Sequence, residues 1–288
     1  MPRVTVGLPF FDEQRHLGDA IRSVLAQSFA DFELLLVDDG SRDDSLAVAR
    51  SFRDPRITVF ADGERRHLAA RLNEIVRRAR APYIARMDAD DVIHPTRLAR
   101  QVAVLDADPA IDLVGTWAAL ADGAGRPFAA IESPPLPLTP RSVMLHGGFA
   151  HPTVLGKRTW FVANPYDEAL TRAEDRDLWC RTAATGRFAT VPHCLYVFRV
   201  DVSKRSFLAS YLEGQRQNRS LFWKYGPTIV GRPATTRLIA LAYAKSAAMR
   251  ALTCAGLTER LVRRRGRPLR EGELTLANEA IAAGAQRP

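Results

Sequence analysis

The first 117 residues alternate between two apolar patterns, and this alternation limits the possible folds more than any other feature of the chain. Continuous apolar runs predict buried strands, and apolar residues repeated every three or four positions predict helices. The predicted strands are Val4–Pro9, Phe32–Val37, Arg56–Phe60, Pro82–Met87 and Ile111–Trp117. The predicted helices are His16–Gln27, Ser45–Phe52, Leu68–Arg80 and Pro95–Leu105. Because strands and helices in this order build a parallel sheet covered by helices, we predict an α/β fold.

The pattern changes after residue 117. The elements expected next are a proline-rich loop at Glu132–Pro140, short strands at Phe149–Leu155 and Phe188–Arg199, and a helix at Ala173–Thr185. From Ser206 onward the pattern is helical, and residues 235–265 form an amphipathic, basic stretch. We therefore expect an α/β domain at residues 1–205, divided into halves at 117, and a basic helical extension at residues 206–288.

The composition narrows the class of protein. The 288 residues are 47% hydrophobic and 25% charged, as in a soluble globular protein, and no apolar run of about 18 residues predicts a transmembrane helix. The N-terminus enters a strand pattern at once, which argues against a signal peptide. Three cysteines, Cys180, Cys194 and Cys254, are odd in number and lack CxxC spacing, so a reducing cytoplasm is expected.

The net charge of +9 is unevenly distributed. Basic residues gather near the C-terminus, at Arg260, Arg263, Arg264, Arg265 and Arg267. Such a cluster suits nucleic acid, an anionic membrane surface or a polyanionic substrate, and it is equally compatible with a solvated face.

Acidic residues follow two of the predicted strands. Asp38 and Asp39 come after the second strand, and Asp88, Asp90 and Asp91 come after the fourth. Ligands of such sheets bind outside the carboxyl ends of the strands, where an acid can also accept hydrogen bonds from a nucleobase or ribose. A D-x-D pair at a strand end suits a hard divalent cation. The alternatives are a simple turn for the first cluster and a cap of the helix near Pro95 for the second.

A third acidic group opens the helix predicted near residue 173. Glu174, Asp175 and Asp177 lie in its first turns, and Trp179 follows one turn after Asp175 on the same face. The pattern fits a carboxylate base beside an aromatic platform for a sugar, and it also fits acids that complement the helix dipole. His151, after a glycine pair and at the start of a predicted strand, suits either a site or a structural role.

Four ordered blocks of the chain together resemble the family 2 glycosyltransferases, which use nucleotide sugars and have the GT-A fold. The blocks are GLPFFDE, SVLAQSFADFELLLVDDGSRDDS, AARLNEIVRRARAPYIARMDADDVIHPTRLARQ, and FAHPTV with YDEALTRAEDRDLWCR. They cover roughly residues 3 to 200. The resemblance implies a GT-A mixed sheet flanked by helices, in which residues 1–117 bind the nucleotide and 118–205 face the acceptor.

The resemblance also implies roles for particular residues. Asp175 would be the general base. The donor nucleotide would be bound by Pro9, Phe11, Glu13, Asp39, Arg71 and Asp88. Asp90, with Asp88, would hold Mn²⁺ or Mg²⁺. The donor sugar and the acceptor would be bordered by His151, Glu174 and Trp179.

By the same resemblance, we expect an inverting enzyme of cell-envelope polysaccharide biosynthesis. The expected donor is a nucleotide-diphosphate sugar, first of all a UDP-sugar, and the expected acceptor is a hydroxyl of a glycan or lipid-linked glycan. The enzyme is expected in the cytoplasm, with its basic C-terminal helices in peripheral contact with the anionic inner face of the cell membrane. Binding of nucleic acid is not expected, because no binding motif is present.

The chain departs from the family pattern at several positions. Asp12 stands where an Asn is usual, and Glu74 follows Asn73 where a Gly is frequent. An R-x-H segment is replaced by residues 199–201, Arg-Val-Asp, so a phosphate-binding His is missing. The Q-x-x-R-W motif of processive synthases is not recognisable, which favours the transfer of a single sugar.

Two other classes of function compete with this one. Residues 88–92, DADDV, also fit the D-x-D-x-[TV] motif of haloacid-dehalogenase-like phosphatases, but that motif normally follows the first strand. A basic binding protein without catalytic activity is the other alternative.

Overall fold

The computed structural model describes residues 1–200, 206–263 and 266–286. Asp201, the domain boundary expected at 205 and the bases Arg264 and Arg265 lie outside the described residues. The strands are β1 Val4–Phe10, β2 Phe32–Asp38, β3 Ile57–Ala61, β4 Tyr83–Arg86, β5 Val92–Ile93, β6 Leu113–Asp122, β7 Pro127–Ile131, β8 Leu155–Lys157 and β9 Phe188–Val200. The helices are α1 Leu17–Leu25, α2 Ser45–Ser51, α3 His67–Arg78, α4 Arg97–Ala107, α5 Pro140–His146, α6 Arg158–Ala163, α7 Glu174–Thr182, α8 Ser206–Ile229, α9 Arg232–Cys254, α10 Thr258–Val262 and α11 Glu271–Ala285.

The described strands form one mixed sheet in the order β3-β2-β1-β4-β8-β6-β9-β5, with β7 beside β6. The first four in this order are parallel, and β8 is antiparallel to β4 and β6. Phe10 of β1 pairs with Asp38 of β2, and Gly7 of β1 pairs with Arg86 of β4. The acidic segments after β2 and β4 therefore reach the same edge of the sheet, as predicted.

The core lies on both faces of the parallel strands. Every residue of β1 and β2 is buried, which agrees with their continuous apolar runs. On one face these strands pack with apolar residues of α1 and α4, and on the other with those of α3, α5 and α7. The α/β class and the alternation of elements up to residue 117 are confirmed.

The strand predicted at Phe149–Leu155 is wrong for most of its length. His151–Thr153 form a 3-10 turn, and only Leu155–Lys157 is a strand. Pro152 has no N–H for a strand ladder, and the N–H of Thr153 bonds back to Ala150 O. His151 therefore lies in a turn and does not begin a strand.

The structure also contains short elements that the sequence pattern did not indicate, and it divides the C-terminal helical region into several helices. Four were not predicted: β5, β7, α5 and α6. The first of them has two residues, too few for a sequence pattern to emerge. Within the basic stretch at 235–265, α9 ends at Cys254 and α10 begins at Thr258.

The C-terminal helices do not form one separate extension. α8 and α9 pack as a pair beside α5 and α7, whereas α11 packs on α1, β5 and β9. Arg22 Nε donates to Gly284 O at 2.6 Å, and His94 Nε2 lies 2.7 Å from Glu279 Oε2. Ala277 and Ala280 of α11 are buried with Val92 and Val197. The last helix is thus part of the core of the α/β domain. Among residues 1–200, 206–263 and 266–286, none of the helices combines the length and the apolar composition of a membrane span.

The docking of α11 can be tested with two glycines of this helix. A Cβ at Gly284 would lie 2.8 Å from Val92 Cγ1 and 3.0 Å from the Asp19 carbonyl oxygen, whereas nothing lies within 4 Å of one at Gly272. Gly284→Ala should therefore destabilise the protein by about 1–3 kcal/mol in denaturant unfolding. Gly272→Ala, the matched control, should be neutral or stabilising by up to about 1 kcal/mol. Equal stabilities of the two variants would contradict this docking.

Candidate active site

A cleft of about 860 Å³ opens at the carboxyl ends of the parallel strands. This volume is at the upper end of the range for small-molecule sites, roughly 300–1,000 Å³. Of the predicted site residues, the cleft is lined by Pro9, Phe11, Glu13, Asp39, Arg71, Asp88, Asp90, His151, Glu174 and Asp175. The tertiary structure thus brings together residues that are up to 166 positions apart, from Pro9 to Asp175.

The loop after β2 separates the two acids of the first cluster. The Asp38 carboxylate accepts a hydrogen bond from the Ser41 N–H at 3.0 Å and so forms the turn. Gly40 has φ +76°, and a Cβ there would lie 3.0 Å from the backbone of Glu64. Asp39 instead faces the cleft. Asp38 therefore has the structural role of a turn residue, and Asp39 is the acid of this cluster that is available to a ligand in the cleft.

Asp39 is held by a network of donors from the start of α3. Its Oδ1 accepts from the Arg66 N–H at 2.7 Å and from Arg71 Nε at 3.0 Å. Its Oδ2 accepts from the His67 N–H at 3.2 Å and from Arg65 Nη1. Arg71 is buried and also pairs with Asp62 and Glu74. These donors together fix the orientation of the Asp39 carboxylate.

Asp88 is oriented by a buried arginine. Arg86 Nη1 donates to Asp88 Oδ2 at 2.7 Å, and the Asp88 N–H donates to the Tyr196 hydroxyl at 3.1 Å. Among the described residues, the buried Nε of Arg86 has no hydrogen-bond partner. Arg86 also lines the cleft, so a fixed positive charge lies beside the D-x-D pair.

Asp91 points away from the cleft and into the core. Its Oδ2 accepts from the Tyr196 hydroxyl at 2.8 Å, and its Oδ1 accepts from the Arg199 N–H at 2.8 Å. Burial, together with the charges of Asp90 and Asp88, raises the pKa of Asp91 well above its usual range. α4 begins at Arg97 with Thr96 at its N-cap, so the interpretation of these acids as helix caps is wrong. Asp91 joins the D-x-D loop to β9.

A second buried arginine, Arg97, connects the backbone segments that carry Asp88 and His151. Arg97 stacks 5.2 Å from the Tyr196 ring centroid, and its Nη2 donates to the carbonyl oxygens of Arg86 and Pro152, both at 3.0 Å. It thereby links the end of β4 to the 3-10 turn that carries His151. Burial lowers the pKa of Arg97 to about 10, which still leaves it charged at neutral pH.

The third acidic group lies at the N-terminus of α7 on the opposite wall. His151 Nδ1 is 3.5 Å from Glu174 Oε1, and His151 Nε2 is 2.9 Å from the Tyr166 hydroxyl. Burial opposes ionisation of Glu174, but the hydrogen bond and charge of His151 outweigh it and lower the pKa of Glu174. For Asp175, burial and the neighbouring Glu174 charge raise the pKa. The two carboxyl groups therefore have divergent pKa values, as acid–base sites often do.

Trp179 does not line the cleft. Its side chain is 1% exposed and packs against Phe149, Trp160 and Phe188. A Cβ at Gly148 would lie 2.4 Å from its indole ring. This burial corrects the prediction that Trp179 offers a platform to a sugar, because no face of the ring is accessible.

One wall of the cleft comes from residues that sequence reasoning missed. Ala209, Ser210 and Glu213 of α8 line the cleft, beside Arg172. Arg172 Nη2 donates to Ser210 Oγ at 2.9 Å. No local pattern identifies this wall, because the position of α8 depends on its packing against α5 and α7.

The carboxylates of the D-x-D pair suit a hard divalent cation whose remaining coordination positions are filled by a bound phosphate ligand. Asp88 and Asp90 offer carboxylate oxygens to the cleft, and such ions often bind through one or two carboxylates plus phosphates. Within the ranges that the structure describes, no group of three or more His, Cys, Asp or Glu side chains could enclose a metal. The residues therefore fit Mg²⁺ or Mn²⁺ shared with a phosphate ligand and do not fit a closed structural site.

Solved structures of similar fold were found with nucleotides or nucleotide sugars. One is the mannosyltransferase PcManGT from Pyrobaculum calidifontis with GDP-Man and Mn²⁺, at TM-score 0.59 and 21% identity over 99% of this chain and 86% of that one. Another is S. aureus TarS 1–349 with UDP, at TM-score 0.57 and 17% identity over 84% and 70% of the two chains. At these identities the likeness shows the fold, which is the GT-A fold.

Sequence comparison identifies the family. The model of glycosyl transferase family 2 matches residues 5–159. The putative glycosyltransferase EpsE of Bacillus subtilis is 33% identical over 73% of this chain and 78% of its own length. The O-antigen biosynthesis glycosyltransferase WbnJ of Escherichia coli is 28% identical over 68% and 80%. These matches favour neither the phosphatase nor the non-catalytic alternative: the chain is a glycosyltransferase and belongs to glycosyl transferase family 2.

Proposed function

We propose that this enzyme transfers one sugar, with inversion, from a nucleotide-diphosphate sugar to a hydroxyl of a glycan or lipid-linked acceptor. The observation that carries the proposal is the position of Asp39, Asp88, Asp90 and Asp175 on the walls of one cleft. Three of these acids follow the ends of parallel strands, and the fourth lies across the cleft at the start of α7. This arrangement supports a donor on the strand side and an acceptor on the α7 and α8 side.

On the donor side, Pro9, Phe11 and Asp39 would bind the nucleobase, with Arg71 holding Asp39 in place. Glu13 lies on the same wall and would complete the nucleotide pocket. Asp88 would face the ribose or a metal ion, and Asp90 the metal ion. A UDP-sugar is the first donor to test, and GDP-Man is the second, because the structurally similar proteins were solved with such ligands.

Asp175 would act as the general base. The acceptor oxygen forms a bond to the anomeric carbon while its proton passes to the Asp175 carboxylate, and the bond from carbon to diphosphate breaks on the opposite face. Its raised pKa makes Asp175 a stronger base than an ordinary aspartate. His151 and Glu174 would border the reacting sugar. Arg86 adds a fixed positive charge beside the leaving diphosphate, and bound Mg²⁺ or Mn²⁺ would supply further charge stabilisation.

Asp175→Asn should abolish transfer but preserve donor binding. Loss of a general base typically costs about 10²–10⁴-fold in rate, so kcat should fall at least about 100-fold. Calorimetry should show nearly unchanged affinity for the donor nucleotide. Asp44→Asn, the same change at an exposed acid outside the cleft, is the control. A parallel loss of donor binding would count against the role of Asp175.

The pH dependence provides a second measurement of the same role. Because the base must be ionised, and because its pKa is raised, kcat/KM should decline on the acid side at a higher pH than an ordinary aspartate would cause. An acid limb at the usual aspartate pKa would argue that another group is the base.

Asp90→Ala should remove the metal-dependent part of donor binding. The variant keeps Asp88 and its Arg86 contact, so weak binding without metal should persist. Titration of the nucleotide with Mn²⁺ and with EDTA measures the difference, and Mg²⁺ in place of Mn²⁺ distinguishes the preferred ion. An unchanged Mn²⁺ dependence would exclude Asp90 as the metal ligand.

We also propose that the α8–α9 pair contacts an anionic membrane surface. Residues 214–258 contain no Asp or Glu, and their seven basic residues are Arg216, Arg219, Lys224, Arg232, Arg237, Lys245 and Arg250. Trp223 and Tyr243 are 63% and 60% exposed in the same pair of helices. Exposed aromatic and basic residues together favour the interface of an anionic bilayer.

Vesicle co-sedimentation tests this contact. The protein should bind vesicles rich in phosphatidylglycerol and not those of phosphatidylcholine, and Arg237→Glu with Lys245→Glu should reduce binding. Arg50→Glu with Arg53→Glu, which reverses two charges at and after the end of α2, is the matched control. Negligible binding to both kinds of vesicle would contradict the proposed contact between the α8–α9 pair and a membrane.

A further inference from the structure

The corner of the cleft between Phe11 and Asp39 is filled by a side chain of the protein itself. The guanidinium carbon of Arg65 lies 3.4 Å from the Phe11 ring centroid, and its Nη1 donates to Asp39 Oδ2. A guanidinium is planar, stacks on aromatic rings and carries N–H donors in its plane. A nucleobase has the same two features, a flat π face and in-plane N–H groups. Arg65 therefore makes both contacts that a base could make in this corner.

Asp39 does not depend on Arg65 for its charge balance. The Arg71 guanidinium and the N–H groups of Arg66 and His67 also donate to its two oxygens. Arg71 is the permanent partner, with a side chain that is 1% exposed, whereas the side chain of Arg65 is 43% exposed. Loss of the Arg65 contact would leave Asp39 with a buried cation and two backbone donors. The contact can therefore be broken without leaving an unpaired buried charge.

The surroundings of Arg65 favour its displacement. Burial, which outweighs the attraction of Asp39, lowers the pKa of Arg65, and the positive charges of Arg172 and Arg42 act in the same direction. The Arg42 guanidinium lies 5.7 Å from the same Phe11 ring. Residues 61–67 are exposed, and nothing lies within 4 Å of a Cβ built at Gly63. The Arg65 side chain thus has room to turn outward while the N–H groups of Arg66 and His67 stay bonded to Asp39.

We propose that Arg65 occupies the nucleobase position in the free enzyme, so that the affinity for nucleotide is set by competition between Arg65 and the base. This inference rests on the proposed donor site. The competition lowers the apparent affinity by the fraction of molecules in which the corner is open. An Arg65 seated in nine molecules of ten would weaken binding about tenfold.

Calorimetry with UDP and with GDP, each in the presence of Mn²⁺, tests the competition. Arg65→Ala should bind the preferred nucleotide roughly three- to tenfold more tightly than the wild type. Arg77→Ala is the matched control, because it makes the same change at an exposed arginine of α3 that does not line the cleft. The affinity of this variant should equal that of the wild type.

The outcomes separate this inference from the proposed function. If the wild type binds a nucleotide and Arg65→Ala binds it equally or more weakly, the competition is overturned and the donor site remains. Failure of wild type and Arg65→Ala to bind either nucleotide would overturn the donor site and the competition together. Thermal unfolding without nucleotide should be nearly the same for wild type and Arg65→Ala, because Arg71 still holds Asp39; this measurement shows that the variant is folded.

Discussion

The concentration of carboxylates at one edge of the sheet is the constraint on which the rest of the site depends. Parallel pairing of β1 with β2 and β4 brings Asp39 and the D-x-D pair to the same edge. Carboxylates gathered at one edge repel one another unless cations lie between them. Arg71 pairs with Asp39, and Arg86 pairs with Asp88. Both arginines are buried, so the positive charge is part of the fold and is present before a metal ion or a nucleotide binds.

Asp91 shows how the third acid of the D-x-D loop is used. Its carboxylate accepts from Tyr196 and from the Arg199 N–H, and the Tyr196 hydroxyl also accepts from the Asp88 N–H. One tyrosine thus fixes the backbone at Asp88 and the direction of Asp91. Since α11 packs on β9, the end of the chain supports the strand to which this loop is bonded. The helix α11, although remote in sequence, therefore helps to stabilise the D-x-D loop that lines the cleft.

The two walls of the cleft differ in how they could be predicted. Asp39, Asp88 and Asp90 follow strands with continuous apolar runs, and strand ends can be located from local patterns. The other wall depends on contacts between distant segments. His151 lies in a 3-10 turn because Pro152 cannot join a ladder, and α8 lines the cleft because it packs on α5 and α7. Helical spacing places Trp179 on the same face as Asp175, but it does not show that the indole ring is covered by Phe149, Trp160 and Phe188.

The amino-acid sequence by itself determined the α/β class, the order of the first strands and helices, and the acids at the strand ends. Alternation of apolar residues is a local property, so these features need no knowledge of distant contacts. Only the tertiary structure decided which acids face the cleft, that Asp91 turns inward, that Trp179 is core, and that α11 belongs to the α/β domain. It also decided that Arg65 lies on Phe11. Each of these depends on which side chains compete for the same buried space, and that competition is settled only when segments far apart in sequence pack together.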